Sequence, residues 1–238
     1  MFSSERRRGV RWRSSMIAAA AGTAVLTACS SSAGSTGSGS TSPTASASAA
    51  GSPAASSASP YGSSAVPDPA GTEVARADLA APDGRAVGTV SFRTSPDDAT
   101  KLVVHVSAQG LAPGFKGFHV HGIGKCEPNS PDPANPGTVG DFLSAGGHLK
   151  AGGENHAGHD GDLTSLQVRS DGSAELVTST DALPLAALLD ADGSAAMVHL
   201  GPDNFGNIPT RYAPTPDATT LNTGDSGGRA ACGVIEAG

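Results

Sequence analysis

Apolar and polar residues alternate along most of the chain after about residue 72, and this pattern predicts β-strands. Residues 73–80 and 86–92 both alternate, and the turn sequence Pro82-Asp83-Gly84 between them predicts a hairpin. Residues 102–106 predict another strand, in which Leu102, Val104 and Val106 share one face. Further strands are predicted at residues 118–121, 166–168, 174–177, 195–200 and 231–235.

Two long segments, residues 122–162 and 201–230, lack this periodicity and are rich in Gly, Pro and Asn. Residues 184–189 predict a single helical turn, and no other segment has a convincing helical period. The pattern therefore predicts an all-β domain, an antiparallel barrel or sandwich of about eight strands with two long loops. Because long loops without structure of their own are usually functional or held by something, we expect a metal or a disulfide to hold these.

The first 28 residues have the layout of a secretory signal. A run of arginines precedes the apolar residues 16–26, which are too few to span a membrane. The segment ends Leu26-Thr27-Ala28-Cys29, which resembles a lipoprotein signal with cleavage before Cys29 and acylation of its thiol. The alternative is a plain signal peptide with an incidental cysteine. We expect an exported protein, lipid-anchored on the extracytoplasmic face of the cell membrane.

Residues 29–71 are almost entirely Ser, Ala, Gly, Thr and Pro, and this composition predicts a disordered tether. The folded domain is predicted at residues 72–238. Without residues 1–28 the chain has 10 basic and 21 acidic residues, a net charge of −11. This sign argues against nucleic acid as a partner. An anionic substrate would have to be attracted by a local positive field.

Three cysteines are present, and lipidation of Cys29 would leave Cys126 and Cys232. In an oxidising compartment these two thiols would pair as a disulfide, and the alternative is two free thiols.

Six of the seven histidines lie in or beside the first long loop, or at the end of an apolar strand. His119 and His121 are two residues apart on a predicted strand, so their imidazoles project from one face with Cα atoms about 6.5–7 Å apart. The others are His148, His156, His159 and His199, with Asp162 and Asp203 nearby. Imidazole suits copper and zinc, and added carboxylates suit zinc, so the set predicts a metal cluster. His105 is outside this set and is predicted to be an exposed strand residue.

Four motifs carry a resemblance to a known family: GFHVH (residues 117–121), SAGGH (144–148), HDGDL (159–163) and GGRAACGVIE (227–236). In this order they resemble the copper/zinc superoxide dismutase family, over residues 72–238. The resemblance implies a Greek-key barrel and the conversion of superoxide to dioxygen and hydrogen peroxide by Cu(II)/Cu(I) cycling. Such an enzyme would protect the cell envelope from exogenous superoxide.

The resemblance also implies roles for individual residues. Copper would be bound by His119, His121, His148 and His199. Zinc would be bound by His148, His156, His159 and Asp162, so that the His148 imidazole bridges both metals. Asp203 would hydrogen-bond ligands of both metals, and Cys126 would pair with Cys232. Arg229 would attract superoxide to the copper, and His148 would release copper on reduction and take up a proton.

Some alternatives stay open at this point. The gap of three residues from His156 to His159 is shorter than the family usually shows, so a site with copper alone remains an alternative. Residues 201–228 lack the Lys- and Glu-rich pattern of many members, so steering groups other than Arg229 are not identified. The competing functions are a copper-storing module without turnover and a zinc hydrolase with Glu154 as general base.

Overall fold

The computed structural model describes residues 69–151 and 155–238. The predicted signal peptide, Cys29, Glu154 and nearly all of the predicted tether lie outside these ranges. The strands are β1 (Glu73–Ala80), β2 (Ala86–Thr94), β3 (Leu102–Ala108), β4 (Gly114–Lys116), β5 (Phe118–His121), β6 (Ser130–Asp132), β7 (Asn135–Gly140), β8 (Leu166–Val168), β9 (Ala174–Thr180), β10 (Ala195–His199), β11 (Arg229–Val234) and β12 (Glu236–Ala237). The α-helices are α1 (Leu185–Leu188) and α2 (Ala218–Thr223), and a 3₁₀ turn covers Leu143–Ala145. Within the described ranges, no helix has the length and hydropathy that a membrane-spanning helix needs.

One antiparallel sheet curls into a nearly closed barrel, in the strand order β4-β8-β9-β3-β2-β1-β11-β10-β5, with β12 beside β1. Strands β4 and β5 are at opposite ends of this order, yet only Gly117 separates them along the chain. The sheet must therefore bend round until its two edges approach each other. The long connections from β5 to β8 and from β9 to β10 cross the barrel in the Greek-key manner. The predicted all-β Greek-key fold is confirmed.

The barrel core follows from the alternation in the sequence. Leu102, Val104 and Val106 all point into it, and the larger core side chains include Phe92 and Phe118. An aliphatic core of this kind is stabilised mainly by removal of apolar surface from water.

The prediction that His105 is exposed was wrong, because the outer face of β3 is only partly open to solvent. The His105 side chain is partly buried, and its Nε2 is 2.7 Å from Glu175 Oε1 on the neighbouring strand β9. This pair is separate from the other six histidines, which lie in or beside the first long loop or at the end of β10.

Five short features of the described ranges were not predicted: β4, the β6–β7 hairpin, the 3₁₀ turn, helix α2 and β12. The hairpin contains Pro131, Pro133 and Pro136, and proline weakens a sequence-based strand prediction. Helix α2 has six residues, too few to show a hydrophobic period. Its N-cap Asp217 accepts a hydrogen bond from Thr220 N at 2.9 Å, and Gly224 ends it in the left-handed conformation. Both long loops therefore contain regular structure that local contacts impose.

Candidate metal centre

Strands β5 and β10 bring the histidines together on the outside of the barrel wall. Phe118 and Val120 of β5 point into the core, so the alternating His119 and His121 point out towards the loops. His199 ends the neighbouring strand β10. The first long loop folds back over β5 through isolated bridges between His121 and His148 and between His119 and Asp162. All six predicted ligand histidines are buried.

The predicted copper ligands form one group. One nitrogen each from His119, His121, His148 and His199 lies within 4.8 Å of the others, and the Nε2 atoms of His121 and His199 are 3.3 Å apart. Among the described residues, His119 Nδ1 and His148 Nε2 are buried without a hydrogen-bond partner. Leaving such an atom unsatisfied costs about 1–3 kcal/mol, and a metal ion that accepts the lone pairs would remove this cost. Four imidazoles that face one another therefore fit the ligand set of a copper ion.

The predicted zinc ligands meet around Asp162. Its Oδ1 is 2.8 Å from His148 Nδ1 and 2.9 Å from His156 Nδ1, and its Oδ2 is 3.4 Å from His159 Nδ1. The Nδ1 atoms of His148 and His159 are 3.5 Å apart. Ligand atoms of a tetrahedral zinc with bonds of about 2.0–2.1 Å are roughly 3.3 Å apart, so these spacings fit zinc. His119 also has a ligand atom within 4.8 Å of those of His148, His156 and Asp162.

The carboxylate of Asp203 joins the two groups. Its Oδ2 is 2.8 Å from His119 Nε2, and its Oδ1 is 2.7 Å from His156 Nε2. If both imidazoles donate Nε2–H to Asp203, their Nδ1 lone pairs face the metal sites. Asp203 thus lies where the resemblance places it, between a ligand of each metal.

Burial and hydrogen bonding set the charges of these groups. Burial lowers the pKa of His119 to about 4 and holds the pKa values of His121 and His199 well below the usual range. Burial also acts to lower the pKa of His156, but hydrogen bonds to Asp162 and Asp203 outweigh it and raise this pKa to about 9. His119, His121 and His199 therefore present neutral imidazoles at neutral pH, as metal binding requires.

The two carboxylates stay ionised. Burial acts to raise the pKa values of Asp162 and Asp203, but their hydrogen bonds to the histidines outweigh it and hold both pKa values below the usual range. Zinc binding would replace a proton between His156 Nδ1 and Asp162 by an ion of higher charge.

Arg229 is held beside the copper group by backbone carbonyls. Its Nη1 donates to Phe142 O and its Nη2 to Gly146 O. The same Gly146 carbonyl accepts a hydrogen bond from His121 Nδ1 at 2.9 Å. That bond fixes the His121 tautomer with a free lone pair on Nε2. Burial lowers the pKa of Arg229 to about 10, so the guanidinium is still charged at neutral pH.

The predicted disulfide between Cys126 and Cys232 is present, with Cα atoms 5.6 Å apart. It joins the first long loop to strand β11 across 106 residues of sequence. Arg229 is on the same strand, and Phe142 and Gly146 follow Cys126 in the loop. The disulfide therefore fastens the guanidinium and its carbonyl acceptors to one another.

A cavity of about 750 Å³ opens onto the copper group. His121, His148, His199 and Arg229 line it, whereas His156 and His159 do not. The first group is therefore accessible to a small solute and the second is enclosed. This difference is the one expected between a catalytic metal site and a structural one.

The carbonyl acceptors of Arg229 were not predicted individually. Phe142 has a left-handed backbone, with φ 59° and ψ 18°, at the start of the 3₁₀ turn, and its carbonyl accepts from Arg229. Every residue has a carbonyl, so sequence carries no side-chain signal for this role. The Gly residues of the SAGGH motif indicate only that the backbone takes an unusual conformation there, near the carbonyl of Gly146.

Comparisons with known proteins agree with this geometry. The family model for copper/zinc superoxide dismutase matches residues 86–235. The chain is 51% identical over 167 residues to the Cu-Zn superoxide dismutase of Mycolicibacterium paratuberculosis, covering 67% of this chain and 73% of the relative. It is 50% identical over 166 residues to that of Mycobacterium tuberculosis, covering 67% and 69%. The solved Cu/Zn superoxide dismutase from Brucella abortus is 32% identical with a TM-score of 0.53, covering 69% of this chain and all of that one. The chain belongs to the copper/zinc superoxide dismutase family and is an enzyme that uses copper and zinc to dismutate superoxide.

Proposed function

We propose that His119, His121, His148 and His199 hold the catalytic copper of this superoxide dismutase, and that His148, His156, His159 and Asp162 hold its zinc. We further propose that the enzyme is exported, anchored through lipid on Cys29, and protects the cell envelope from exogenous superoxide. The observation that carries the proposal is a pair of neighbouring ligand groups that share His119 and His148. The first reaches the cavity, whereas His156 and Asp162 of the second do not line it, and His159 contacts Asp162 and His148.

Copper, when bound, takes one electron from one superoxide and gives it to a second, so that two superoxide ions and two protons yield dioxygen and hydrogen peroxide. The protein has to attract an anion, orient it and supply protons. Arg229 attracts and orients superoxide, because its charge faces the cavity and its planar group is fixed by two carbonyls. Local charge of this kind is needed because the chain without its first 28 residues is acidic.

His148 is the group placed to hold a proton for the second superoxide. Zinc bound at Nδ1 beside Asp162 would leave Nε2 as the nitrogen of His148 that can carry a proton. His148 lines the cavity, and its Nε2 is the nitrogen that belongs to the copper group. Proton transfer from this atom would occur where the second superoxide arrives.

The zinc group acts through structure. Its four side chains are buried or nearly so, and none of the three besides His148 lines the cavity. Zinc bound there would keep His148 Nδ1 unprotonated and would link His148, His156, His159 and Asp162.

Export is supported by the signal-like residues 1–28 and by the disulfide, which persists in oxidising compartments. A charged ion such as superoxide crosses an apolar membrane poorly. An enzyme on the extracytoplasmic face would therefore meet superoxide that arises outside the cell.

The test is metal analysis of the purified chain together with a superoxide dismutation assay. We expect one copper and one zinc per chain and rapid turnover, and copper binding without turnover would refute the catalytic assignment. His159→Ala should remove zinc and retain copper, so unchanged zinc content would contradict the zinc ligand set. For the anchor, Cys29→Ser should move the protein from the detergent phase to the aqueous phase, and no change would refute lipidation at Cys29.

A further inference from the structure

We propose that Lys150 is a second positioning cation for superoxide, held at the cavity wall by Asn222. This inference rests on the proposed copper site, because it concerns the approach of the anion to that site. Lys150 lies two residues after His148 and lines the same cavity as His121, His199 and Arg229.

The backbone around Lys150 is fixed on both sides. Leu149 N donates to Val120 O at 2.8 Å, and Leu149 O accepts from Gly161 N at 3.1 Å. On the other side, Ala151 N donates to Asp160 Oδ2 at 2.5 Å. The backbone of Lys150 is therefore held in place relative to β5 and to the rest of the first long loop.

The ammonium group is held from the opposite loop. Lys150 Nζ donates to Asn222 Oδ1 at 3.3 Å, and Asn222 Nδ2 donates to Ala218 O at 2.7 Å within α2. The second bond fixes the amide with its oxygen towards Lys150. Because an amide is uncharged, this contact orients the ammonium without neutralising it. A carboxylate at position 222 would have cancelled the charge.

The two cations of the cavity wall differ in how their donors are used. Among the described lining residues, Lys150 and Arg229 are the positive groups. Arg229 is partly buried and both of its Nη atoms donate to carbonyls, so it acts on an anion that has already arrived. Lys150 is exposed, so the electrostatic field of its ammonium group extends into the solvent outside the cavity. The ammonium also has three N–H donors.

The carboxylates of the cavity wall are already engaged. Asp225 Oδ2 accepts from Thr220 Oγ1 at 2.7 Å, and Asp141 Oδ1 accepts from Asn129 N at 3.2 Å. Neither contact is with Lys150. The ammonium of Lys150 therefore supplies a positive charge to a wall that also carries these two negative charges.

The experiment compares copper- and zinc-loaded Lys150→Gln with loaded Lys101→Gln. Lys101 is partly exposed, pairs with Asp98 at 3.5 Å between β2 and β3, and does not line the cavity, so its replacement removes the same charge elsewhere. We expect Lys150→Gln to lower kcat/KM at low ionic strength about two- to fivefold and to weaken its salt dependence. Lys101→Gln should do neither, and Lys150→Arg should restore both. Equal rates for the two Gln variants would overturn the proposal.

A binding measurement separates positioning from a structural effect. Azide, a monovalent anion, is titrated into the loaded protein and followed by the copper absorption. Its Kd should rise about two- to fivefold in Lys150→Gln at low salt, with unchanged metal content. An unchanged Kd, or a loss of metal that Lys150→Arg does not prevent, would overturn the role of Lys150. An inactive loaded wild type would instead refute the proposed function itself.

Discussion

Loss of the Cys126–Cys232 disulfide should destabilise the domain more than any surface substitution. We consider the double variant Cys126→Ser/Cys232→Ser. The bond closes 106 residues, and the chain-entropy relation gives about 4–5 kcal/mol for a loop of that length. For a domain of about 170 residues, each kcal/mol corresponds to about 2–4 °C, so Tm should fall by roughly 10–15 °C.

The assay is thermal unfolding followed by circular dichroism, on metal-free protein so that metal binding does not mask the difference. Cys29→Ser is the control variant and should leave Tm unchanged, since Cys29 is not part of the bond. The wild type treated with a reductant should approach the Tm of the double variant. A fall of less than 3 °C would refute the reasoning, because it would mean that other contacts already restrain this loop in the unfolded chain.

Two further predictions concern the surroundings of the metal groups, and a third concerns His105. Asp203→Asn should weaken zinc binding about 10–100-fold, because the amide cannot accept from both His119 and His156 as a carboxylate does; zinc competition with a chelator measures this. Gly224→Ala should act in the same direction, because a Cβ there would overlap Asp203 and His156 and the left-handed φ of 57° disfavours alanine; normal zinc affinity would contradict it. His105→Gln should leave both metal contents unchanged and lower the free energy of unfolding by no more than about 1 kcal/mol, as denaturant titration would show.

The strands could be predicted because a period of two appears directly in the residue order. The alternation at Leu102, Val104 and Val106 predicts one buried face, and all three side chains are buried in the structure. The short elements in the loops could not be predicted in the same way. Helix α2 depends on its capping contacts, and the β6–β7 hairpin forms despite its prolines. Local pattern therefore predicted the barrel but not the folds of the loops that cover the metal groups.

The residues of the candidate site also differ in whether the sequence could predict them. The histidines could be predicted because few roles other than metal binding explain so many imidazoles in one loop and on the strands beside it, and the family resemblance implied the role of Asp162. Phe142 and Gly146 could not, since they act through carbonyls whose direction depends on the backbone. The role proposed for Lys150 could not be predicted for a related reason. Its importance depends on Asn222, which is 72 residues away along the chain and meets it only after both loops have folded.

The contacts of His156 and His159 answer the objection that their short spacing raises against the proposed zinc site. Three residues looked too few only if the loop had to reach the ion by itself. In the structure His156 N donates to Leu221 O of α2 at 2.9 Å, so the second loop positions His156 from outside. His159 and Asp162 form their own turn, with Asp162 N bonded to His159 O at 3.1 Å and His159 N to Asp162 Oδ2 at 3.0 Å. The gap therefore only has to join two ends that are already fixed, and a short segment does this with less conformational entropy to lose than a long one.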